Sequence, residues 1–207
     1  MNTSRSMDTT ALRDTLESAL AELPVLNVHT HLCGAKLAAR GLRDILFQFS
    51  LGAEPLPFET ASRVSQKTLA QLAEIVGRHP RLRFQCFVAS RHANQTLCTL
   101  CRELPNFSLA GFWWHNFFPG AIRQVMTERL DMVPVNKQVG FFSDAYAVEW
   151  CYAKALIVRR QMAQVLAAKV AQGQYSLDEA VSVARAILFD TPQSLCGMTP
   201  VLGQLRP

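Results

Sequence analysis

His29, Thr30 and His31 close the short, mostly apolar run that begins at Val25. Two histidines one residue apart can do chemistry that neither does alone. In a β-strand, positions i and i+2 face the same way. The spacing therefore predicts that His29 and His31 aim both imidazoles at one point beside a strand end. Nitrogen donors placed so suit a divalent cation such as zinc, which takes imidazole at about 2.0–2.1 Å. The same pattern reads equally as a hydrogen-bonded core histidine, and the spacing leaves both readings open. Further polar residues stand at the ends of later apolar runs: Glu54, Arg91 with His92, Trp113 with His115, and Asp144.

Gathering such scattered positions needs a scaffold. Leu12, Leu16, Leu20 and Leu23 recur at helical spacing and predict a helix over 9–23, capped by threonine hydroxyls and ended by Pro24. The His-x-His strand follows, then a helix over 36–46 interrupted by Gly41. The alternating run 47–52 predicts a strand, and the two prolines of 54–58 a loop. A helix over 65–78 would bury Leu69, Leu72, Ile75 and Val76. Strands are expected over 83–89, 107–113 and 138–142, and helices over 94–104 and from Pro119 onward. Long helices over 147–172 and 177–188 complete the chain, the second opened by a Ser176/Glu179 capping box. About five strand–helix repeats favour a parallel sheet with helices packed on it. In such folds the C-terminal strand ends share one edge, so residues distant in sequence converge there.

The 207 residues suit one α/β domain: helix 9–23, a strand–helix unit over 24–46, further units over 47–146, and C-terminal helices over 147–190. Hydrophobic content of 49% and charged content of 18% describe a folded core and exclude a disordered chain. The net charge of +5 is scattered, its longest basic run being Arg159-Arg160, so nucleic-acid binding is not expected. No apolar run reaches the roughly 18 residues of a membrane span, and no secretory leader is expected. The cysteines sit in apolar surroundings without paired spacing. Cys98 and Cys101 fall on one expected helix and read as packed, reduced thiols, which points to the cytoplasm. No glycine-rich phosphate loop is present.

Three stretches together resemble the uronate (glucuronate) isomerases of the amidohydrolase superfamily. They are Leu26-Asn27-Val28-His29-Thr30-His31-Leu32, Ala110-Gly111-Phe112-Trp113-Trp114, and Val139-Gly140-Phe141-Phe142-Ser143-Asp144. The resemblance runs from Leu23 to Leu46 and from Phe47 to Met198. It implies a partial or shortened (β/α)₈ TIM barrel of the metal-dependent hydrolase type. It implies His29, His31 and Asp144 as ligands of a divalent metal, zinc by expectation, with Asp144 also handling a proton. Trp113 matches the family's tryptophan near the substrate. The implied reaction is aldose–ketose isomerisation of a hexuronic acid, D-glucuronate to D-fructuronate. The alternatives are a metal-dependent hydrolase of the same superfamily, or a non-catalytic shortened homologue that binds a sugar acid or serves assembly.

The chain also departs from that family. Ser50 and Pro55 stand where the family carries a histidine and an arginine, and Tyr146 where it carries an arginine. A tyrosine cannot pair bidentately with a substrate carboxylate. Arg91 is the expected replacement, with His92 and Tyr146 as further substrate-binding candidates. A (β/α)₈ barrel typically needs about 250 residues. The sequence passes from the first strand–helix unit to the second half of the barrel near Leu46-Phe47. Strand edges left open that way favour a homo-oligomer. The expected partners are thus a small sugar acid and a second copy, with neither nucleic acid nor membrane. Away from these positions the plain readings hold: His79 solvated, Glu149 and Lys154 on the surface or in ion pairs, and Arg159-Arg160 on a solvated helix face.

Overall fold

The first helix, α1 (Thr9–Ala21), is started by Asp8 and not by a threonine hydroxyl: the Asp8 carboxylate accepts the Thr10 amide at 3.1 Å. A carboxylate at this position also meets the positive end of the helix dipole. The computed structural model describes residues 8–30, 66–87, 91–111, 118–145 and 147–198. The expected helix over 36–46, strand over 47–52 and loop over 54–58 lie outside them.

Residues 24–30 are not a strand, contrary to the alternation in their sequence. Single backbone bonds tie them down: Leu26 N–H to Leu188 O at 2.9 Å, and Asp144 N–H to His29 O at 3.1 Å. The reason lies in their neighbour. Strand pairing over 138–142 stops at Val139, because the Gly140 amide turns away to Ile187 O at 2.9 Å. No ladder continues for residues 24–30 to join.

Next come α2 (Gln66–Arg78), β1 (Phe84–Cys86), a 3₁₀ turn over Arg91–Ala93, and α3 (Asn94–Glu103). Then follow β2 (Phe107–Ala110), α4 (Pro119–Met132) and β3 (Gln138–Val139). The chain closes with α5 (Val148–Ala171), α6 (Leu177–Arg185), a π-helical turn over Ala186–Asp190, and α7 (Thr191–Leu195). The Ser176/Glu179 capping box is present. Ile75 is half exposed and does not join Leu69 and Val76 in the core, so the α2 stripe is narrower than expected.

Three parallel strands, in the order β1-β2-β3, form the sheet among the described residues. Phe84 pairs with Phe107 and Leu109 with Gln138, so each strand advances past the last. All four residues of central β2 are buried, as a strand packed on both faces requires. Of the five expected strands, three are present among the described residues, the one ending at His29 is not formed, and the one over 47–52 lies outside them; a closed barrel is not seen among the described residues. One apolar cluster joins α1, α4, α5 and α6; a second joins α2 and α3 to β1 and β2. Cys98 and Cys101 are free, fully buried thiols of the second cluster, and Cys101 donates to Phe107 O at 3.4 Å. No helix among the described residues is long and apolar enough to cross a membrane.

The turn between α2 and β1 is held by one side chain. Asn106 Nδ2 donates to the carbonyls of Val76, His79 and Leu82 at 3.2, 3.0 and 2.9 Å. Alanine at this position leaves three carbonyls without that donor. Asn106→Ala is expected to cost about 1–2 kcal/mol in urea unfolding; an unchanged midpoint would mean water replaces the amide without loss.

Candidate functional site

The three strands run the same way, so Cys86, Ala110 and Val139 end on one edge of the sheet. Phe87 follows β1, Gly111 follows β2, and residues 140–145 follow β3. Into this edge the 24–30 segment brings His29. Its Nε2 shares a hydrogen bond with Asp144 Oδ1 at 3.0 Å, across 115 positions of sequence. The His29 and Asp144 side chains are 37% and 22% exposed, so solvent and small ligands reach both.

One side of the imidazole is walled by aromatic rings. Phe87 and Phe142 lie 5.6 and 5.7 Å from it, Phe142 edge-on, and 4.9 Å from each other. Phe142 is buried with Ala110 and Val139, and Val28 and Phe87 pack against that cluster. This apolar floor keeps water from one side of the pair and strengthens electrostatics on the other.

Polar bonds align the two segments. Asn27 accepts the Ser143 amide at 2.9 Å through Oδ1 and donates to the Ser143 hydroxyl at 2.8 Å through Nδ2. Thr30 Oγ1 donates to Ala145 O at 2.8 Å. Cys151, in the first turns of α5, donates to Ser143 Oγ at 3.4 Å. Asp144 itself sits at φ +48°, a left-handed conformation that aspartate tolerates better than most residues.

Lys154 corrects the sequence reading. It is 2% exposed, not on the surface, and its Nζ donates to Ser143 O at 2.5 Å. Burial pushes its pKa down to about 8, against the opposing pull of the Asp144 carboxylate. Arg159 is a second correction: it bonds Leu23 O and hides its Nε, whereas Arg160 faces solvent. His79 is exposed as expected.

Of the expected site residues, the structure brings His29 and Asp144 together. Arg91 and His92 lie exposed in the 3₁₀ turn that leads into α3. His31, Trp113 and Tyr146 lie outside the described residues. The sequence reading missed Asn27, Ser143, Lys154, Phe87 and Phe142 as parts of this site. Asn27 had a signal, standing two positions before His29.

The donor set suits a divalent metal. Imidazole nitrogen and carboxylate oxygen 3.0 Å apart fit adjacent corners of a tetrahedral zinc site, whose ligand atoms stand about 3.3 Å apart. Among the described residues no group of three or more histidine, cysteine, aspartate or glutamate side chains could hold a metal. His29 and Asp144 are two of the three ligands expected from the sequence; the third, His31, lies outside the described residues. A separate cleft of about 260 Å³ between α4 and α5 contains none of these residues. Its charged groups pair internally, Lys169 with Asp131 and Arg123 with Gln161.

No family model matches the chain, and no curated protein matches it. Solved structures do. Glucuronate isomerase from Caulobacter crescentus aligns with a TM-score of 0.59 at 22% identity, covering 69% of this chain and 29% of that one. Uronate isomerase from Thermotoga maritima gives 0.56 at 20% identity over 60% and 28%. A uronate isomerase from Bacillus halodurans C-125 gives 0.55 at 21% identity over 61% and 31%. The chain shares their fold over the covered part and spans less than a third of their length.

Proposed function

We propose that this chain is a divergent relative of the uronate isomerases, built around a metal site of His29, Asp144 and His31. The observation that carries the reading is the 3.0 Å contact of His29 Nε2 with Asp144 Oδ1 at the C-terminal edge of a parallel sheet. The likeness to three uronate or glucuronate isomerases supports it.

The reaction proposed is conversion of an aldehyde-ended hexuronic acid, D-glucuronate by the resemblance, to its keto isomer. A proton moves from C2 to C1, and the proton lost from the C2 hydroxyl appears on O1. Asp144 takes the C2 proton and returns it to C1, as a carboxylate within hydrogen-bond reach can. His29, His31 and Asp144 would hold a divalent metal, zinc in this proposal, which would supply Lewis-acid polarisation of substrate oxygens. The Phe87–Phe142 floor keeps water from one side of the reacting carbons. Arg91 pairs with the substrate carboxylate, with Trp113, His92 and Tyr146 around the sugar.

Ser50, Pro55 and Tyr146, which stand where the resembled family carries a histidine and two arginines, favour a second reading: a homologue that binds a sugar acid, as a homo-oligomer, without turning it over. Metal content by mass spectrometry, glucuronate affinity by calorimetry and fructuronate formation by proton NMR separate the two. We expect bound metal in the wild-type chain, and a fall in turnover of at least a hundredfold in His29→Ala and Asp144→Asn. Binding without turnover selects the second reading. Metal content and activity untouched by both substitutions would sink the site.

A further inference from the structure

The peptide unit that joins Ser143 to Asp144 is held at both of its polar edges. Its carbonyl oxygen accepts Lys154 Nζ at 2.5 Å. Its N–H donates to His29 O at 3.1 Å. The preceding amide, Ser143 N–H, is held by Asn27 Oδ1 at 2.9 Å, and the Ser143 hydroxyl by Asn27 Nδ2 at 2.8 Å. Beyond Asp144, the Ala145 carbonyl is held by Thr30 at 2.8 Å. Asp144 is the one non-glycine residue at positive φ among the described residues.

The torsion φ of Asp144 is the rotation of its Cα substituents against that upstream peptide plane. A plane fixed at both edges, with the Ala145 carbonyl one peptide further on fixed as well, restricts Asp144 from both sides. We infer that Lys154 and Asn27 are positioning residues: Lys154 locks the Ser143–Asp144 peptide plane, Asn27 holds the peptide before it, and together they aim the Asp144 carboxylate at His29. Neither needs to touch a ligand. Lys154 holds the plane from α5 and the His29 carbonyl holds it from the 24–30 segment, which also brings Asn27 to the peptide before it, so the site is gripped from two independent elements. A buried lysine that bonds a backbone carbonyl is otherwise a costly choice for a core position, where a leucine or methionine would pack without desolvating a charge. The lock itself stands on geometry alone; its consequence for metal binding rests on the function proposed above.

Two readouts on the full-length chain keep these apart. Backbone carbon shifts of Asp144 by heteronuclear NMR report positive φ directly, with no metal present. Lys154→Met, which keeps the bulk and removes the donor, is expected to move those shifts to values of ordinary right-handed or extended backbone. The same variant is expected to bind Co²⁺, followed by its visible absorption, at least tenfold more weakly than wild type. A lysine that served only packing would lower Tm and leave the Asp144 shifts unchanged, and that result overturns the lock. Should Lys154→Met fail to fold, Asn27→Ala frees the preceding amide and the Ser143 hydroxyl and is expected to move the shifts in the same direction; unchanged shifts there overturn the lock too. Absence of Co²⁺ binding by the wild-type chain overturns the metal site, while the carbon shifts still decide the lock.

Discussion

Alanine at position 111 is expected to destabilise the fold by about 3–4 kcal/mol, a large share of the 5–15 kcal/mol that holds a domain together. Gly111 sits at φ +43°, where a β-carbon costs about 1 kcal/mol or more. The backbone cannot relax away from that angle. Its N–H is bonded to Val139 O at 2.6 Å, and its carbonyl accepts Arg129 Nη1 at 2.8 Å. A β-carbon there would meet Phe142 Cδ1 at 2.0 Å and Cε1 at 2.2 Å, well inside the roughly 3.5–4.0 Å of a carbon contact. Phe142 is 1% exposed and braced against Phe87, so overpacking adds about 1–3 kcal/mol. Phe142 also lies edge-on to His29, so its displacement reaches the site. Urea unfolding of Gly111→Ala measures the loss, and metal titration measures the second effect. A change below 1 kcal/mol would show that Phe142 swings aside freely.

Stability is also expected to fall steeply above pH 9. Burial pushes the Cys86, Cys98 and Cys101 thiols up from 9.0 to about 11, with Arg129 opposing at each. Between pH 9 and pH 11 the unfolded chain releases these protons while the folded chain keeps them. The folded state therefore holds the full benefit below pH 9 and loses it as pH rises through 11. Each thiol contributes on the order of 2–3 kcal/mol, and several kcal/mol together. Lys154 acts in the opposite sense, because burial lowers its pKa from 10.5 to about 8. Its cost is present below pH 8 and relieved by pH 10.5, a gain on the order of 3 kcal/mol. The sum is a slight rise from pH 8 to pH 9, then a loss of several kcal/mol by pH 11. Urea unfolding at pH 7.5, 9 and 10.5 tests the profile. Cys98→Ala should flatten the alkaline slope by about 1.4 kcal/mol per pH unit; an equal slope in that variant would mean its thiol titrates alike in both states.

Helices were legible in the sequence where apolar spacing and a terminating residue agreed. Leu12, Leu16 and Leu20 mark α1, and Pro119 opens α4 at its first residue. Strands were legible in place but not in length. The run 138–142 reads as one strand, yet pairing ends at Val139, because Gly140 packs against Ile187 too closely for any side chain. That approach is tertiary and leaves no mark on local alternation.

The site divided in the same way. His29 and Asp144 carry chemistry in their residue types, so they stood out. Lys154 did not, because a lysine early in a long helix usually faces water. The signal was its phase: Lys154, Val158, Met162, Val165 and Lys169 share one buried stripe of α5. Read as helical positions and not as charges, both lysines belong to the core. Asn27 lies two residues before His29 and meets Ser143 as His29 meets Asp144.

The span between those partners bears on how the molecule assembles. His29 and Asp144 are 115 positions apart, whereas β1 and β2 belong to neighbouring units. Closing so long a loop costs about 4 kcal/mol of chain entropy, which the early, local helices do not repay. The sheet and helices α2 to α6 can condense first, leaving Asp144 without its histidine. Docking of the 24–30 segment then comes late in folding, and a ligand that bridges His29 and Asp144 stabilises that last step above all others. Occupancy of the site would thus be read first in the hydrogen exchange of the chain's N-terminal segment.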